Sequence, residues 1–172
     1  METPSEQTTT PVEEVESTET YDKIYELLTK YEADFKVLNH RPTHTSQESA
    51  EVRGTTLESG AKAMLVHSKK TSKTYLLVIS AAKSIDWKKV KKILGAVELV
   101  PYDKVPEYTG CLSGGVAPFG RLLGDGFPTY MDESLEQQGD RINFNGLRTR
   151  SINLLLSDYI RIERPIIVNF SK

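Results

Sequence analysis

Apolar residues recur at helical spacing in two stretches of this chain and alternate with polar ones in many shorter stretches, so helices and strands are expected to interleave. The first helical stripe is Ile24, Leu27, Leu28 and Tyr31, with Thr20 placed as an N-cap. The second follows a start at Ser84, carries Val90, Ile93 and Leu94 inward, spreads Lys88, Lys89, Lys91 and Lys92 over its remaining surface, and ends at Gly95. Between them, Thr45 and Glu48 have the spacing of a capping box, opening a short helix that Gly54 closes. Strands are predicted at 35–38, 97–100, 129–131, 141–144, 152–156 and 166–170, and a hairpin at 61–67 and 74–80. Helical turns fit 132–138 and 158–162, and 145–151 reads as a polar connection. The order lacks a regular β-α-β alternation, which predicts an α+β domain with a mixed, largely antiparallel sheet.

Composition changes this picture mainly at the N-terminus. Residues 1–19 hold six glutamates, no Lys or Arg, and many Ser, Thr and Pro, so they are expected to form a disordered acidic tail ahead of one domain spanning 20–172. The whole chain carries −2, so the folded part carries about +4, a mild surplus compatible with a polyanionic partner. A single cysteine excludes an intrachain disulfide, and no apolar run reaches the length of a membrane span. A soluble, cytoplasmic protein with no membrane association is the resulting expectation.

Glycine density then singles out residues 110–124, GCLSGGVAPFGRLLG, in which five glycines and one proline follow a proline-bearing connection. Such a loop either makes tight turns or brings backbone N–H groups close to an anion or oxyanion. Cys111 has no base or cation beside it in sequence to activate it and reads as a packing residue. Lys62, at the start of an apolar strand in GAKAMLV, either extends its ammonium to solvent or aims it at a ligand. His40 and His44 are four apart, but Pro42 between them breaks the helical geometry that a metal pair needs. His44 and Thr45 remain candidates for lining a pocket. Arg148 and Arg150, with Asn145 and Ser151, form a dense donor cluster that is either exposed surface or a binding site. The lysine-rich helix is either a solvated face or a nonspecific phosphate contact.

The order GAKAMLV, a strand pair, a lysine-bearing helix, TGCLSGGVAPFG, PTYMDESL and FNGLRTRSI resembles the YbaK/prolyl-tRNA synthetase-associated editing domain family over residues 20–162. The resemblance implies a sheet curling toward a barrel with surrounding helices, and hydrolysis of misacylated tRNA, typically tRNA for proline carrying alanine or cysteine. It places the family's lysine at Lys62 and its substrate loop at Gly114, Gly115, Val116, Ala117 and Pro118. A further pocket residue falls among Arg148, Arg150 and Ser151, and several family members carry histidine where Arg150 aligns. No metal, other cofactor or protein nucleophile is called for. Partners implied are misacylated tRNA and a prolyl-tRNA synthetase or multi-synthetase complex. Two other readings fit the residues alone: a noncatalytic tRNA-binding or scaffold module, and a small-molecule hydrolase using the same backbone cradle.

Overall fold

A computed structural model describes residues 18–109 and 116–172. Helix α1 (Glu19–Lys30) buries Tyr21, Ile24 and Leu28. Its N-cap is Thr18 rather than Thr20, and the Thr18 hydroxyl donates to Asp22 at 3.0 Å. The acidic segment therefore gives way to helix by Glu19, and the rest of the expected tail lies outside the described residues. Helix α2 (Ser46–Arg53) is closed at both ends as its sequence predicts. Thr45 Oγ1 accepts from the Glu48 N–H at 3.1 Å, and Gly54 takes a φ of +69° that a side chain would strain.

Strands β2 (Ala61–His67) and β3 (Thr74–Ser80) form the expected antiparallel hairpin. The described strands form two sheets. One is antiparallel and joins β1 (Phe35–Asn39), β7 (Arg150–Leu155) and β6 (Arg141–Leu147) in that order. The other runs β4 (Glu98–Leu99), β2, β3, β5 (Thr129–Asp132), β8 (Ile166–Val168), with β5 and β8 parallel to β3. Pairing is mixed and largely antiparallel, as expected. The sheets touch through a bridge between Gly60 and Asn143, where the Asn143 N–H donates to the Ser59 carbonyl at 2.9 Å, and the described strands close no barrel.

Strand β3 sits between two apolar layers, which accounts for its unbroken apolar sequence. Leu76 and Val78 enter the main core with Ile142, Phe144, Ile152 and Tyr159, while Leu77 and Ile79 meet Val66, Val90 and Phe170 on the other face. Helix α3 (Trp87–Leu94) covers that second face. It begins later than Ser84 because Ile85 bridges to Ser171 and the Lys172 N–H donates to the Ser84 carbonyl, leaving Asp86 to cap the Lys88 N–H. Ile93 is more exposed than its place in the stripe predicts.

The segment 145–151 is not a connector: β6 and β7 run into it, separated by a two-residue turn. Its polar residues pair across the hairpin, Asn145 opposite Ser151, and a bulge follows Asn145. Gly146 lies in that bulge, where an added Cβ would come within 2.6 Å of the Tyr21 ring, so glycine permits α1 to rest directly on β6. A short helix, α4 (Val105–Thr109), occupies part of the predicted connection, with Pro106 in its first turn where a missing N–H costs nothing. Helix α5 (Leu156–Glu163) follows β7 and buries Tyr159 and Ile162. No helix among the described residues is long and apolar enough to cross a membrane.

Candidate functional site

A cleft of about 730 Å³ opens between α2, the first half of β2, residues 143–145 of β6, the 99–105 segment and Val116. It exists because β4 pairs with only the last two residues of β2, at Val66 and His67, so the strand's first half lacks that neighbour. The walls carry hydroxyl and amide groups beside Ala61, Ala63 and Leu57, and they contain no aspartate or glutamate among the described residues.

Lys62 lines this cleft with an exposed side chain, and no hydrogen bond or ion pair engages its ammonium among the described residues. Its flanking residues Ala61 and Ala63 pack toward the main core, so the strand anchors the lysine by its backbone and leaves the charge available. His44 and Thr45 line the opposite wall at the start of α2. Because Thr45 Oγ1 already accepts the Glu48 N–H, its hydroxyl proton is the part left to donate. Glu48 is turned away from the cleft chemistry. Its carboxyl accepts from Arg41 and from the His44 N–H, and these bonds hold it below the usual carboxylate range.

The back of the cleft holds a group that the sequence did not single out. Arg53, in the last turn of α2, donates from Nε to Ser151 Oγ and from Nη2 to Asn145 Oδ1, each at 2.7 Å. Ser151 Oγ also lies 2.9 Å from Asn145 Oδ1 and 2.6 Å from His40 Nε2, while His40 Nδ1 meets the Arg41 carbonyl at 2.7 Å. Since a carbonyl only accepts, His40 donates from Nδ1 to Arg41, and the single hydroxyl proton of Ser151 goes to Asn145 Oδ1. Burial alone pushes the Arg53 guanidinium down to about 10, so it remains a cation at neutral pH, with no carboxylate bound to it among the described residues. The signal in the sequence was an arginine three residues after Ala50, hence on the buried side of α2, immediately before the closing glycine.

The expected donor cluster is thus split. Asn145 and Ser151 belong to the cleft network, whereas Arg150 donates to Asn39 Oδ1 at 2.9 Å and stacks 4.7 Å over the Tyr21 ring. Neighbouring positions on a strand point to opposite faces, and Arg150, engaged by Asn39 and the Tyr21 ring, does not line the cleft. Arg148 occupies the β6–β7 turn and does not line the cleft. Of the glycine-rich loop, Val116 reaches the cleft; Ala117 is buried in the main core, and the Pro118 carbonyl accepts from the Tyr159 hydroxyl at 2.6 Å. Gly114, Gly115 and Cys111 lie outside the described residues.

The sequence profile of the aminoacyl-tRNA editing domain matches residues 40–162, a span that includes every described wall of this cleft. The chain belongs to that family. It is therefore an editing hydrolase of the aminoacyl-tRNA ester class. Among curated relatives, the Escherichia coli K12 multifunctional Ser/Thr-tRNA deacylase ProXp-y is 30% identical over 158 residues, covering 89% of this chain and 93% of the relative. The crystal structure of a hypothetical protein superposes with a TM-score of 0.79 at 21% identity, covering 87% of this chain and 99% of that one. That of a candidate trans-editing enzyme for prolyl-tRNA synthetase gives 0.76 at 19%, covering 89% and 97%. At these identities the two structures speak for the fold.

Proposed function

We propose that this editing domain removes serine or threonine from misacylated tRNA, with Lys62 as its principal charged group. The observation that carries the reading is the composition of the cleft, in which cations, hydroxyls and amides face a substrate space with no carboxylate among the described residues. The similarity to a Ser/Thr-tRNA deacylase supports the same choice of amino acid.

An aminoacyl ester is labile, so the site mainly has to position water and stabilise the tetrahedral oxyanion. Water adds to the carbonyl carbon, the ester C–O bond breaks, and the departing ribose oxygen takes up the proton that the water gives up. The products are a free amino acid and deacylated tRNA. Lys62 supplies positive charge for the ester oxygen or the terminal nucleotide, and backbone N–H groups around Gly114 and Gly115 are proposed to complete the oxyanion site. No protein nucleophile takes part, so Cys111→Ala is expected to retain the parent's kcat within about twofold; a folded but inactive variant would contradict the scheme.

Polar groups that receive a substrate hydroxyl are left unpaired by an analogue that lacks it, and this penalises the analogue far more than a missing methylene does. The hydroxyls of Thr45 and Ser46 and the Asn145 amide line the walls and support that role. In assays of tRNA charged separately with serine, threonine, alanine and cysteine, seryl and threonyl esters are expected to be cleaved at least about 10²-fold faster than the alanyl ester. Fastest release of alanine or cysteine from tRNA for proline would overturn the hydroxyl reading in favour of the substrate that the family resemblance implies.

A further inference from the structure

Arg53 has a charge that no carboxylate among the described residues neutralises. Both of its partners, Ser151 and Asn145, are neutral, and the one acidic side chain in the first turn of α2, Glu48, is engaged by Arg41 and by the His44 N–H. The C-terminal end of the helix favours a cation, but that preference is met equally well by a solvent-exposed side chain and gives no reason to place one against a cleft. A half-buried cation without a counter-charge is costly, and the cost is recovered when a ligand brings a negative charge.

The way the guanidinium is held also limits what it can bind. Its Nε–Nη2 edge is occupied by Ser151 and Asn145, which fix the plane of the group. Both Nη1 protons and the second Nη2 proton have no partner among the described residues, leaving the end-on edge that forks onto two oxygens of one anion. An aminoacyl-tRNA end offers a permanent anion in the phosphodiester that joins its last two nucleotides. The amino acid itself carries an α-ammonium, which a fixed cation repels, and the oxyanion exists only during reaction.

We propose that Arg53 binds the last phosphodiester of the tRNA, anchoring the terminal adenosine so that the ester is delivered to Lys62. This assignment rests on the deacylase reading above. The two cations of the cleft then have separate roles, with Arg53 holding a charge present throughout the cycle and Lys62 serving the reacting end. Ser151, Asn145 and His40 are positioning residues for Arg53.

The test removes the phosphate charge and the arginine separately and together. Charged tRNA is prepared with its last linkage either as phosphate or as an uncharged methylphosphonate, and each is offered to the wild type and to Arg53→Gln. Wild type is expected to lose about 10- to 100-fold in kcat/KM on the methylphosphonate substrate, the range of a charge-assisted hydrogen bond. Arg53→Gln is expected to show a similar loss on the phosphate substrate and less than about threefold further loss on the methylphosphonate. Arg53→Lys, which keeps the charge without the fork, should recover part of the loss and checks that folding is intact. Equal penalties for the methylphosphonate in wild type and Arg53→Gln, or no penalty in wild type, would overturn the assignment. If wild type cleaves neither substrate, the deacylase reading itself falls, a result distinct from either.

Discussion

Replacing Lys62 by alanine is expected to lower kcat/KM for deacylation by about 10²- to 10³-fold, the usual effect of removing a preorganised charge from a developing oxyanion. The melting temperature should stay within about 2 °C of the parent, because exposed substitutions away from packing and caps change stability by only a few tenths of a kcal/mol. The separation of the two effects follows from how the residue is held. Its side chain is exposed in the cleft and makes no hydrogen bond or ion pair among the described residues, while Ala61, Ala63 and Leu65 attach the strand to the core. Lys62→Arg keeps the charge but changes its geometry, and is expected to recover only part of the activity. Parallel measurement of kcat/KM and thermal unfolding checks both halves, and unchanged turnover in a folded Lys62→Ala would remove the lysine from the mechanism.

The second large effect concerns the frame rather than the cleft. Asp132, at the end of β5, has no exposed surface and accepts three backbone N–H groups: Phe170 at 2.7 Å and Ser171 at 3.0 Å on Oδ1, and Ser134 at 3.0 Å on Oδ2. One carboxylate thus ties the C-terminal segment and the following turn to the parallel part of the sheet. Burial pushes its carboxyl up, but these donors and the neighbouring hydroxyls more than offset it and hold the group below its ordinary value of 3.8. Asp132→Asn keeps the shape, loses the charge and turns an NH₂ group toward an N–H donor. The expected cost is about 3 kcal/mol, or roughly 6–12 °C in melting temperature for a domain of this size. Because the folded-state pKa is depressed, the wild-type advantage is fully present above the unfolded-state value and is lost as pH falls through the folded-state value. Urea unfolding of both proteins from pH 7 downward should therefore show the two stabilities converging in acid. A gap that stayed constant with pH, or a variant as stable as the parent at pH 7, would contradict this role.

What the sequence revealed was what neighbouring residues decide among themselves. The capping pair Thr45 and Glu48 with Gly54 located α2, and the limits of the β2–β3 hairpin followed from apolar runs around a polar turn. Asn145 and Ser151 were recognisable as polar residues in a dense cluster, yet the cluster looked like a connector. Polar side chains that face a cleft and polar side chains that face solvent leave the same pattern in the chain. Arg53 escaped notice for a related reason: its partners lie 92 and 98 residues away, and nothing local distinguishes it from a basic residue at a helix end. The parallel placement of β5 and β8 beside β3 is likewise a product of long-range packing, and neither short strand announces its partner. Glycine density and a lysine opening an apolar strand singled out 110–124 and Lys62, and the family resemblance implied a role for each, while the structure separated Ser151 from Arg150 by showing the partners that each engages.

Catalysis on a hydroxyl-bearing aminoacyl ester is tested by multiple-turnover release of serine from a misacylated tRNA, measured against the ester's spontaneous hydrolysis at the same pH and salt. Release is expected at least about 10²-fold above the spontaneous rate. Release at the spontaneous rate, with salt-sensitive tRNA binding retained, would contradict it and leave a tRNA-binding module in place of an enzyme.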